Sequence, residues 1–86
     1  MPEISRFFGI VIKMFHEDHN PPHFHAEYGD DSALIDIRTL SLFAGRLQPR
    51  ALGLVIEWAT LHQHELFTDW ERAHAQQELQ RIPPLS

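Results

Sequence analysis

Apolar and polar positions alternate from Ile4 to Phe15, and the alternation predicts a strand. Phe8, Ile10, Ile12 and Met14 form one face of it, and Phe7, Gly9, Val11, Lys13 and Phe15 the other. Both faces are fairly apolar, which suits a central strand, and Gly9 in the middle predicts a bulge or a close backbone approach. A loop over residues 16–22 follows, then a second strand to about Tyr28. Gly29-Asp30-Asp31-Ser32 is a turn. A third strand runs from Ala33 to Ile37, and a short fourth one over Ser41 to Ala44 is closed by Gly45.

The period then lengthens. Pro49 suits the first turn of a helix, and the helical pattern runs from Arg50 to about Leu66. Its apolar arc is wide, so the helix is largely buried, with Gly53, Glu57, Thr60 and His64 as a thin wet stripe. His62 lies near the middle of the apolar arc, where a histidine needs a hydrogen-bond partner. Thr68-Asp69-Trp70-Glu71 has capping-box spacing and predicts a second helix from there to Gln77 or Leu79, with a break near Phe67. Ile82-Pro83-Pro84-Leu85 is an extended tail. These elements predict an α+β fold: one domain over residues 1–86, with an antiparallel β-meander of three to four strands packed on one long helix and a shorter C-terminal helix.

Candidate chemistry concentrates at Asp18-His19-Asn20-Pro21-Pro22-His23-Phe24-His25-Ala26-Glu27-Tyr28, which holds three of the seven histidines. Pro21 and Pro22 stiffen the loop. On the strand that follows, His23, His25 and Glu27 share one face and Phe24, Ala26 and Tyr28 the other. If the second set packs inward, the first set looks out from the sheet. If the phase is reversed, His23 and His25 meet His62 inside.

Composition narrows the function classes. There is no cysteine, so a disulfide framework and a thiolate nucleophile are excluded. Net charge is −5 with histidines neutral, which argues against nucleic acid as a partner. No apolar run reaches the length of a membrane span, and Met1-Pro2-Glu3 lacks the marks of a signal peptide, so a cytoplasmic location is expected. A helix-turn-helix role for the last two helices fails on charge, because Asp69, Glu71 and Glu78 stand against Arg72 and Arg81.

Three chemistries fit the histidine stretch. His23 and His25 can chelate one divalent ion, zinc or manganese or iron, with Asp18, His19 or Glu27 as a further ligand and water on open positions. The same histidines, with His62, can serve as catalytic acid and base in a small ribonuclease, provided that Arg6, Lys13, Arg38, Arg46 or Arg50 stabilises the phosphate. Asp18, His19, Pro21, Pro22, His23, His25 and Glu27 can also form a rigid binding surface for a protein partner or for a second copy of the chain.

Residues 2–10, the stretch from Asp18 to Tyr28, Arg50-Ala51-Leu52, Glu57-Trp58, Leu61-His62 and Glu65-Leu66 closely resemble a family of small bacterial proteins known as a domain of unknown function. The resemblance implies gene neighbours of toxin–antitoxin type, hence a protein partner encoded nearby. It implies no reaction. Of the histidines, His16, His64 and His74 fall outside the matching motif.

Overall fold

The computed structural model describes residues 3–86; Met1 and Pro2, read above as part of a start without a signal sequence, lie outside the described residues. The chain forms five strands and then two helices: β1 Glu3–Phe7, β2 Ile10–Lys13, β3 His23–Tyr28, β4 Asp31–Asp36, β5 Leu42–Gly45, α1 Pro49–Leu61 and α2 Gln63–His74. The sheet is an antiparallel meander in the order β1-β2-β3-β4-β5. The α+β class stands, with one strand more than the alternation predicts.

The extra strand arises at Gly9. Phe7 pairs with Ile10 across a two-residue turn. Phe8 at φ 51 and Gly9 at φ 80 both lie in the left-handed region, which identifies a type I′ hairpin turn. The predicted first strand is therefore two strands, and Gly9 is a turn rather than a bulge. Such turns favour Asn-Gly, and phenylalanine in the first position hides the signal. The turn also puts Phe8 in solvent, away from Ile10, Ile12 and Met14, which are buried.

The helices pack on the sheet, α1 with Trp58 against Phe24 and α2 with Trp70 against His23. Ile10, Ile12, Met14, Phe24, Ala26, Ala33, Ile35 and Ile37 bury against Ala51, Val55, Trp58, Ala59 and Leu66. Trp58 is central, with its ring 5.4 Å from that of Phe7 and 5.8 Å from that of Phe24.

The helix break falls at His62, five residues before the predicted one at Phe67. His62 sits at φ −123 and ψ 26, outside the helical region, and caps both helices. Neither His62 nor Gln63 is a helix breaker by residue type, so no local signal marks the position. The predicted capping box does not cap: Thr68 donates its hydroxyl to the carbonyl of His64 within α2. The helix ends at His74, and Gln76 at φ 59 takes the left-handed position beyond it.

The tail is fastened to the core. The Ile82 N–H donates to the Ile4 carbonyl at 2.8 Å, so the tail runs along the outer edge of β1. Trp58 Nε1 donates to the Pro83 carbonyl at 2.8 Å, and Arg81 pairs with Glu3 at 3.2 Å. Hydrogen bonding from Arg6 above all, with Arg81 adding to it, holds the Glu3 carboxyl down at about 2.

Asp69 receives the tail from below: its Oδ1 accepts the Gln80 N–H at 2.9 Å, while its buried Oδ2 has no partner among the described residues. Burial pushes the Asp69 carboxyl up, against the smaller opposing pull of Gln80 N–H and Arg72. A raised carboxyl in the folded state means that its stabilising share is complete below the unfolded value. That share is lost as pH rises through the folded value. Asp69→Asn keeps an acceptor for Gln80 and removes the charge. It is expected to lose stability less steeply than the parent between acid and neutral pH in urea titrations. An unchanged pH profile would refute this account of Asp69.

Candidate metal centre

The loop between β2 and β3 is closed locally before it delivers its side chains. Asp18 N–H donates to the Phe15 carbonyl, and the Asp18 carboxylate accepts the Phe15 N–H at 3.2 Å. The Asn20–Pro21 peptide is cis. The Pro22 carbonyl accepts the Ile37 N–H at 3.0 Å, which ties the end of the loop to the residue that follows β4. Asp18 is thereby held above the first turn of β3, facing the side chains of His23 and His25.

The donors converge. Asp18 Oδ2 is 3.1 Å from His25 Nε2 and 3.7 Å from His23 Nε2. One ligand atom from each of the three residues lies within 4.8 Å of the others. Two ligands on one zinc ion at tetrahedral angles stand about 3.4 Å apart, so the spacing fits a shared ion after small adjustments.

The orientation of His23 adds to the distances. Its Nδ1 lies 2.7 Å from the Pro21 carbonyl. A carbonyl only accepts, so Nδ1 carries the hydrogen and donates it. In the neutral ring the lone pair is then on Nε2, which lies 3.7 Å from the Asp18 carboxylate. Two acceptors facing each other call for a positive charge between or upon them. A histidine whose other nitrogen donates to a backbone carbonyl is the usual outer shell of a metal ligand.

The phase of β3 is as expected for its inner half: Phe24 and Ala26 are in the core. Tyr28, expected inside, is 38 % exposed, because it lies at the strand end beside Gly9. His23 also departs from expectation. It projects from the strand on the opposite side to Phe24, yet it is only 6 % exposed, because Phe43 of β5 and Trp70 of α2 cover it. Their rings lie 5.6 Å and 5.4 Å from its own. Phe15 packs edge-on against His25 at 4.7 Å. The histidines thus form a half-buried cluster rather than an outward row.

The other candidates separate from this group. His19 is exposed on the loop. It helps to line a shallow depression with His16, Glu17, Asp18, His74 and Gln76. Pro21 and Pro22 are half-buried, and their carbonyls bond His23 Nδ1 and the Ile37 N–H. Glu27 is paired with Lys13 at 3.0 Å. His62 contacts Glu65 through Nδ1 and packs against Trp58. It belongs to the helix junction and does not join the site. Its partner is thus a carboxylate. Asp36 is the register partner of His23, but its Oδ1 accepts the N–H groups of Arg38 and Thr39. Burial raises its carboxyl, and these bonds together with the Arg38 guanidinium outweigh that and lower it.

Two histidines outside the motif hold the loop in place. His74 faces the Asp18 carbonyl through Nε2 at 3.1 Å, and His16 Nε2 donates to the Gln77 carbonyl at 3.0 Å. Both tie the loop to the end of α2. Neither has a sequence signal, because each contact spans more than fifty residues.

Of the cations proposed to meet a phosphate, four are engaged elsewhere. Arg6 pairs with Glu3, Lys13 with Glu27, Arg38 with Asp36 and Arg46 with Asp31. No helix among the described residues is long and apolar enough to cross a membrane.

The family described as a domain of unknown function, DUF4160, matches residues 9–71 of the chain. No curated protein and no solved structure matches.

Proposed function

The chain belongs to this family of unknown function, and we propose that it works as a divalent-metal protein with Asp18, His23 and His25 as ligands. The observation that carries the reading is the convergence of one ligand atom each from Asp18, His23 and His25 within 4.8 Å, with the His23 ring oriented by its Nδ1 contact to the Pro21 carbonyl. Two imidazoles and one carboxylate suit zinc or manganese and leave positions for water. A bound divalent ion brings such water toward ionisation at neutral pH, so hydrolysis is the reaction class this site favours. A metal-free ribonuclease is disfavoured, because four of the five candidate cations are matched by carboxylates.

The test is metal content. Protein purified without a histidine tag, stripped with chelator and reloaded, is expected to retain about one zinc or manganese ion per chain. His23→Ala/His25→Ala is expected to retain none while keeping its circular dichroism. Equal metal in both proteins, or none in the parent, would remove the site.

A second reading draws on Phe15 and Phe43, exposed aromatics that pack against His25 and His23. In it the protein is the cytoplasmic interaction half of a bacterial toxin–antitoxin-like pair, with its partner encoded nearby. Growth that changes only when the neighbouring gene is absent would support it.

A further inference from the structure

The opposite end of the sheet carries a separate surface. Phe8, Ile10, Tyr28, Gln48, Arg50 and Leu54 line an open cavity of about 360 Å³ between the β1–β2 turn and the first turns of α1. His23 begins β3 and Tyr28 ends it, so this cavity and the metal ligands are about 17 Å apart along the strand.

Three observations single it out. Phe8 is 60 % exposed. It also holds a left-handed conformation in a turn that asparagine would form with less strain. Local structure thus gives no reason for a phenylalanine there, and strain kept at an exposed aromatic points to use. Tyr28 lies against the same turn, 38 % exposed, so the two aromatics form a contiguous apolar patch. Arg50 stands at the rim with neither an ion pair nor a side-chain hydrogen bond among the described residues, whereas Arg72 donates to the Glu78 carbonyl and Arg6, Lys13, Arg38, Arg46 and Arg81 have carboxylate partners. The first turn of α1 contains no acidic residue that would offset it.

From these we infer that the cavity seats a segment of a partner protein in which a bulky apolar side chain is flanked by acidic residues. The apolar side chain enters between Phe8, Tyr28 and Leu54, and the carboxylate meets Arg50. Aromatic residues and arginine are the types that dominate interface energetics, and an unmatched cation in a chain of net charge −5 sets the sign of the partner. The inference is independent of the metal centre, and either can fail alone.

The probe is a short capped peptide with one tryptophan between glutamates, titrated into the ¹⁵N-labelled full chain. A counterpart carries lysines in place of the glutamates. Amide shifts are expected around Phe8, Gly9, Tyr28, Arg50 and Leu54 with the acidic peptide only. Arg50→Glu and Phe8→Asn are each expected to weaken binding by about tenfold or more. Phe8→Asn relieves the turn, so its loss of binding is not a loss of fold. The inference is overturned by the absence of shifts, by shifts elsewhere, by equal binding of the basic peptide, or by variants that bind as the parent does. Concentration-dependent self-association through Phe8 would also overturn it, since the occupant would then be a second copy.

Discussion

Trp58→Ala is expected to remove about 3–5 kcal/mol of folding stability, more than any other single truncation proposed for this chain. Trp58 is fully buried, its ring packs on Phe7 and Phe24, and its Nε1 donates to the Pro83 carbonyl. Truncating a buried tryptophan to alanine costs about 3–5 kcal/mol. A domain of 86 residues holds roughly 4–13 kcal/mol in all. The loss is therefore a large share of the total. The loss also removes one of the tail's fastenings, because the Pro83 carbonyl no longer has its donor, while the Ile82–Ile4 and Arg81–Glu3 contacts remain. Trp58→Phe keeps most of the ring and removes the donor, so about 1–2 kcal/mol is expected. Urea unfolding followed by circular dichroism gives both values. A Trp58→Ala protein within 1 kcal/mol of the parent, on the order of a surface change, would show that the core is not centred there.

The second large effect is stabilisation by metal. An ion that binds only the folded chain adds about 2.7 kcal/mol at a free concentration one hundred times its Kd. In a domain of this size that is on the order of a 10–20 °C rise in Tm. Asp18→Asn is expected to abolish most of the rise, since an amide is a poor ligand for such ions. The same change leaves the metal-free protein close to the parent, because Asn can still accept the Phe15 N–H that Asp18 accepts. Differential scanning calorimetry with and without zinc or manganese reads both proteins. A rise of equal size in Asp18→Asn would place the ion elsewhere.

The legible parts of the fold are those set by side-chain period. Alternation at His23 to Tyr28 places Phe24 and Ala26 in the core, and the long period after Pro49 puts Val55, Trp58 and Ala59 there. The parts that alternation and period do not show are set by backbone angles at single residues. Phe8 adopts a turn conformation that its side chain disfavours, and His62 leaves the helical region with no glycine or proline beside it. The site divides in the same way. His-x-His on a strand is visible in the sequence, and so is Asp18 as one of three possible third ligands. Only folding selects Asp18 over His19 and Glu27, because the Phe15–Asp18 turn aims the carboxylate inward while Lys13 engages Glu27. The cover of Phe43 and Trp70 over His23 comes from distant elements and has no local trace.

The bond between Ile82 and Ile4 joins two segments that both lie outside residues 9–71, the stretch shared with the family. Conserved length and autonomous length are therefore different quantities here. Trimming to the shared stretch deletes β1 and its covering tail together, and turns β2 from an interior strand into a bare margin open to pairing with other chains. Such a fragment keeps Asp18, His23 and His25 and is left with a sheet edge that nothing covers.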